Sequence, residues 1–121
     1  MLQEGMQPRE LETRIERIKR ELRSIGPMRP GSLSKQYSVC GKPGCRCVDP
    51  SQPRKHGPYY QLSYAHRGKS TTQFVRPAFL HEVRAQLANY KRFRRLVDQW
   101  IHLSLEISRN RLAKLKRSVS D

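Results

Sequence analysis

Acidic residues are scarce in this sequence. Ten Asp or Glu stand against 25 Lys or Arg in 121 residues, for a net charge of +15 at pH 7. With so few carboxylates, no paired-carboxylate site is set up, and neither a phosphate-cradling loop nor a Ser/His/Asp arrangement can be read, so an enzyme is not expected. Such an excess of cations favours a polyanionic partner, because each phosphate contact releases counterions.

Apolar residues are also limited, at 36%, with aromatics at 7%. No stretch approaches the ~20 apolar residues that cross a bilayer. The N-terminal "MLQEGMQPRELETRIERIKREL" has no apolar signal-peptide core. The expectation is a cytoplasmic protein without a membrane partner. A chain of this size and composition buries a small core, so a metal, a second subunit or a nucleic acid is expected to help complete the fold.

Cysteine is absent except at Cys40, Cys45 and Cys47. With His56 these give the spacing C-x4-C-x-C-x8-H. In a reducing compartment, clustered cysteines point to ligation rather than to disulfides. Three thiolates and an imidazole are a common tetrahedral zinc set, and the first gap, "GKPG", holds residues that turn sharply. Lys42 and Arg46 are expected to lower the thiol pKa values. The competing readings are three reduced cysteines in a loop, a redox C-x-C pair, and a catalytic cysteine, for which the spacing sets no Asp or Asn partner. His66, His81 and His102 read as ordinary histidines, with His66 the substitute ligand should His56 fail.

Three zones organise the chain: 1–25, 26–76 and 77–121. In the first, Leu11, Ile15, Ile18, Leu22 and Ile25 recur at alternating steps of four and three. This predicts a helix over 8–25 with a heptad seam and pairs such as Glu10/Arg14 and Glu16/Arg20. Pro8 suits the first turn and "GPMRPG" ends the helix. The middle zone has a single acid, Asp49. There "YYQLSYA", "HRGK" and "STTQFV" read as a hairpin, which needs a helix or metal loop behind it.

Its predicted polar face sets Tyr59, Gln61 and Ser63 against Thr71 and Gln73, with Arg67 and Lys69 at the tip. Such a face can read base edges or remain a solvated surface. Tyr59 is alternatively a stacking platform for an unpaired base. From residue 80 onward Gly and Pro are missing altogether. Leu80, Val83, Leu87 and Tyr90, followed by Phe93, Leu96, Trp100, Leu103 and Ile107, predict one long helix or two consecutive ones. Lys91, Arg94 and Arg95 in "KRFRR" are a candidate phosphate clamp or a solubilising face. "SVSD" reads as a short unstructured end.

The stretches "RPGSLSKQYSVCGKPGCRC", "HGPYYQLSY" and "RGK" together resemble a family of short, uncharacterised basic proteins of bacteria and archaea. The resemblance covers most of residues 28–105 and treats Cys40, Cys45, Cys47 and His56 as one unit. Members are commonly met beside mobile elements, which implies a DNA-linked role by association.

The sequence thus predicts an α+β fold, with a zinc-knuckle and β-hairpin core flanked by an N-terminal helix and a long C-terminal helical region packed antiparallel. The expected function is that of a non-enzymatic, Zn2+-stabilised nucleic-acid-binding homodimer, with DNA favoured over RNA. Its candidate contacts are Lys42, Arg46, Tyr59, Gln61, Ser63, Arg67, Lys69, Thr71, Gln73, Lys91, Arg94 and Arg95. The alternative is a helical assembly module that binds a partner protein such as a transposase or nuclease, with RNA contact secondary.

Overall fold

The structure, a computed structural model, describes residues 5–119. The fold is α+β. Helix α1 spans Pro8–Arg23, strands β1, β2 and β3 span Ser32–Ser38, His56–His66 and Lys69–Val75, and helix α2 runs unbroken over Leu80–Val119. Short 3-10 turns occupy Arg46–Val48 and Pro77–Phe79. The chain forms two compact units: Met1–Pro27 together with Asn89–Asp121, and Met28–Ala88. Among the described residues, no helix is long and apolar enough to cross a membrane.

In the helical unit, Pro8 opens α1 and the Glu10 carboxylate accepts a hydrogen bond from the Gln7 amide at 3.2 Å. Glu10 therefore caps the helix instead of pairing with Arg14. Glu16 likewise pairs with Lys19, at 3.1 Å, rather than with Arg20. The heptad seam is buried as its spacing requires. Leu11, Ile15 and Ile18 pack with Leu96 and Leu103, edged by Leu22, Ile25, Trp100 and Ile107. The two helices run antiparallel: Glu21, late in α1, meets Arg92 at 3.3 Å, whereas Pro8 and Glu12 border Ile107 and Lys114. The absence of Gly and Pro accounts for the continuity of α2. Ser118 and Val119 belong to that helix, and the rest of "SVSD" lies outside the described residues.

The central unit contains a strand that the hydrophobic pattern does not announce. β1 pairs antiparallel with β2, making a three-stranded sheet in the order β1-β2-β3 where a two-stranded hairpin was expected. In "SLSKQYS" only Leu33 is partly buried, so an edge strand exposed on most of its length leaves almost no alternation to read. One sheet face packs Leu62, Val75 and Leu33 with Leu80, Val83 and Leu87 of α2's first turns. Leu80, Val83 and Leu87 thus serve the sheet and not the α1 seam. The initial α2 stripe and the later one are separate sets because each matches a different partner.

Leu11 and Leu62 are both fully enclosed. Truncating either to Ala is expected to cost ~2–5 kcal/mol, measured by denaturant unfolding. Ser32→Ala, on the exposed edge strand, is expected to change stability by less than ~0.5 kcal/mol.

Candidate metal centre and the open sheet face

The "GKPG" gap folds as a type II turn. Pro43 fits its second position, Gly44 its third with φ +78°, and the Cys45 amide donates to the Lys42 carbonyl at 3.3 Å. The 3-10 turn Arg46–Val48 follows and buries Cys47 to 2% exposure. Asp49 then shapes the return loop, accepting from the Ser51 amide at 2.9 Å and from its hydroxyl at 3.1 Å. The Arg54 amide donates to the Arg46 carbonyl at 2.9 Å and closes the loop just before β2. His56, the first residue of β2, is paired across the sheet with Ser38, the last of β1.

This local chemistry brings the four predicted ligands together. The thiol sulfurs of Cys40, Cys45 and Cys47 and a ring nitrogen of His56 all lie within 4.8 Å of one another. Cys40 Sγ and Cys47 Sγ are 3.5 Å apart, and Cys45 Sγ is 3.3 Å from His56 Nε2. The cysteines are free thiols. Tetrahedral Zn–S bonds of about 2.3 Å imply S···S edges of about 3.8 Å, so the four donors fit a metal of that class. His66 lies at the other end of β2, beside the hairpin turn, so it is not needed as a ligand.

The thiols differ electrostatically. The Cys47 backbone N–H, then the Cys40 and Cys47 thiols, hold Cys45 down from an ordinary 9.0 to about 6, with a smaller contribution from His56. Neither Lys42 nor Arg46 supplies that lowering, contrary to expectation; both side chains are exposed. At Cys47 the Cys40 amide favours the thiolate, donating at 3.2 Å, but burial and the two neighbouring thiols outweigh it and push the pKa up.

Gly57 follows His56 at φ +132°, and a Cβ there would stand 2.8 Å from the Gln36 carbonyl oxygen. The close approach of β1 to β2 beside the candidate ligand therefore requires glycine.

The hairpin tip is a two-residue turn, with Arg67 at φ 51° and Gly68 at φ 75°, as in type I′. That turn sets the register and with it the composition of each face. Gln61 is opposite Phe74, and Ser63 is opposite Thr72. Thr71 and Gln73 are opposite Tyr64 and Leu62, so they belong to the face that packs on α2, not to the Tyr59 face. The open face instead combines Tyr59, Gln61, Ser63, Thr72 and Phe74 with Ser32, Ser34 and Gln36 of β1.

Phe74 is 70% exposed and meets Tyr59 edge-on, with ring centroids 6.3 Å apart. The Gln36 amide donates to the Gln61 side-chain oxygen, and Ser63 Oγ lies 3.3 Å from Thr72 Oγ1. Phe74, Gln36 and Ser34 escaped the sequence reading. A two-residue turn at Arg67–Gly68, counted outward, would have found Phe74; nothing comparable marks β1. Lys42, Arg46, Arg67 and Lys69 are exposed in this unit. Lys91, Arg94 and Arg95 are exposed in the helical unit, where Arg94 donates to the Tyr90 hydroxyl at 3.3 Å.

In metal-free protein, iodoacetamide is expected to alkylate Cys45 ahead of Cys47 at pH 7, because the thiolate is the nucleophile and Cys47 is both enclosed and protonated. Cys45 labelling should slow as pH falls through about 6. Peptide mass spectrometry reads the order, and labelling of Cys47 first would contradict this geometry.

No curated protein and no solved structure matched the chain. A family model described as "Domain of unknown function (DUF6788)" matches residues 8–85, from the start of α1 through the sheet into α2. On that match, which takes in all four candidate ligands, the chain belongs to this family of unknown function.

Proposed function

We propose that this protein is a non-enzymatic, zinc-stabilised nucleic-acid-binding protein that reads duplex DNA with its open sheet face, in the service of a mobile element. The observation that carries the reading is that face: amide, hydroxyl and aromatic side chains stand together on three strands, in a chain of net charge +15. Three strands spaced at about 4.8 Å span roughly 10 Å, close to the ~12 Å width of the major groove. Gln61 and Gln36 offer the donor–acceptor pairs that suit base edges, Phe74 offers an apolar contact for a thymine methyl, and the cations of the tip suit phosphates. The metal would fasten the start of β2 to the end of β1, holding the face flat without an apolar core beneath the loop. Zinc is the metal that three thiolates and one imidazole favour.

Purified protein is expected to carry about one zinc per chain by elemental analysis. Cys45→Ser should lose it and leave residues 39–56 open to protease. A metal-free wild-type chain that is equally resistant would overturn the zinc assignment.

For the DNA contact, Arg67→Ala combined with Lys69→Ala should weaken binding to every duplex and flatten the salt slope by about two, one per lost phosphate contact. Gln61→Ala should cost ~1–3 kcal/mol on a selected site and little on scrambled duplex. Phe74→Ala tests the stacking alternative. If it abolishes single-stranded binding while duplex affinity stays unchanged, the face takes unpaired bases and the duplex reading fails.

A further inference from the structure

Helix α2 carries a second apolar seam that α1 does not cover. Ile101, Leu105, Leu112, Leu115 and Val119, with Ser108 between, recur at steps of four and three, the a/d spacing of a coiled coil. The five apolar side chains are 49% to 80% exposed. The α1 seam uses other positions of the same helix: Leu96, Trp100, Leu103 and Ile107. At 1.5 Å per residue, the exposed seam runs for about 27 Å. Solvated helix faces do not sustain such a stripe without a partner.

The flanks of the seam state what that partner must be. Along one edge lie His102, Arg109 and Lys116, and along the other Ser104, Arg111 and Ser118. Between residues 101 and 119 there are five Lys or Arg and one acid, Glu106, whose Oε2 is enclosed. A second copy of this chain fits poorly. Parallel pairing would set Arg111 against Lys116, and antiparallel pairing would set the His102, Arg109 and Lys116 edge against itself. A bilayer wants a broad apolar face, and this seam is the narrow two-positions-per-heptad kind.

We infer that the exposed seam of α2 docks an amphipathic helix of another protein whose seam is apolar and whose flanking positions are acidic. The apolar stripe supplies affinity, and the Arg109/Lys116 and Arg111 edges select acidic partners and reject basic ones. This surface shares no residue with the sheet face and requires no nucleic acid.

The test uses two synthetic helical peptides with leucine at the seam positions, one flanked by glutamate and the other by lysine, titrated onto the full-length chain by fluorescence anisotropy. The glutamate peptide should bind about tenfold or more tightly than the lysine peptide, and more weakly as salt rises. Leu105→Ser with Leu112→Ser should remove that binding while lowering the melting temperature by only a few degrees, the helix-propensity cost of the two changes. Arg109→Glu with Lys116→Glu should invert the preference towards the lysine peptide, a result that generic stickiness would not give.

Equal binding of the two peptides, or binding of neither, overturns the inference. So does a native mass showing a dimer that Leu105→Ser with Leu112→Ser dissociates, since the seam would then belong to a second copy. Loss of duplex affinity, or of binding to mixed neutral and anionic phospholipid vesicles, in that same double variant without any peptide binding would assign the seam to nucleic acid or to membrane. A failure of the sheet-face reading leaves the peptide and oligomer outcomes unaffected.

Discussion

The central segment depends on keeping three thiols and one imidazole together with almost no apolar material around them. Between Val39 and Gln61, Cys47 is the only buried residue among those described. A loop of this kind cannot be held by hydrophobic burial, which contributes in proportion to the apolar area removed from water. It is held by turn chemistry instead: the Lys42–Cys45 turn, the 3-10 turn, and the Asp49 cap on Ser51. Those turns converge the donors, and a coordinated metal would convert that convergence into a fixed attachment between β1 and β2. The same convergence makes the thiols unequal: Cys45 and Cys47 each accept from a backbone amide, but Cys47 is enclosed and its neighbouring thiols oppose its ionisation.

The sheet's two faces have different commitments. Leu33, Leu62 and Val75 are committed to the first turns of α2, which leaves Tyr59, Gln61, Phe74 and their β1 neighbours on the opposite side. Phe74 stands outward beside Tyr59, so its ring is in contact with solvent rather than with the sheet's packed face. Its neighbours are amides and hydroxyls rather than an apolar patch, and the proposed contact with base edges rests on that mixture. Helix α2 shows the same division of labour along its length. One set of apolar residues packs on the sheet, a second on α1, and a third is exposed with cations on both flanks. A long helix can hold three such sets because residues at different phases of its 3.6-residue turn face different directions.

Much of this was fixed by local rules. The α1 seam follows from a spacing of four and three, the continuity of α2 from the lack of Gly and Pro, and the ligand set from the compact grouping of Cys40, Cys45, Cys47 and His56. The Arg67–Gly68 turn is equally local, and it carries the β2–β3 register with it. Tertiary structure decided what local rules could not reach. β1 becomes a strand because β2 offers it a hydrogen-bonding edge, not because its own residues alternate, and Gly57 is needed only once those strands approach. Leu80, Val83 and Leu87 pack on the sheet instead of on α1, since periodicity names a buried stripe but not its partner. Glu10 and Glu16 find a cap and Lys19 because exposed ion pairs differ by only a few tenths of a kcal/mol. Spacing along the chain determines which residues share a face; only long-range packing determines what that face meets.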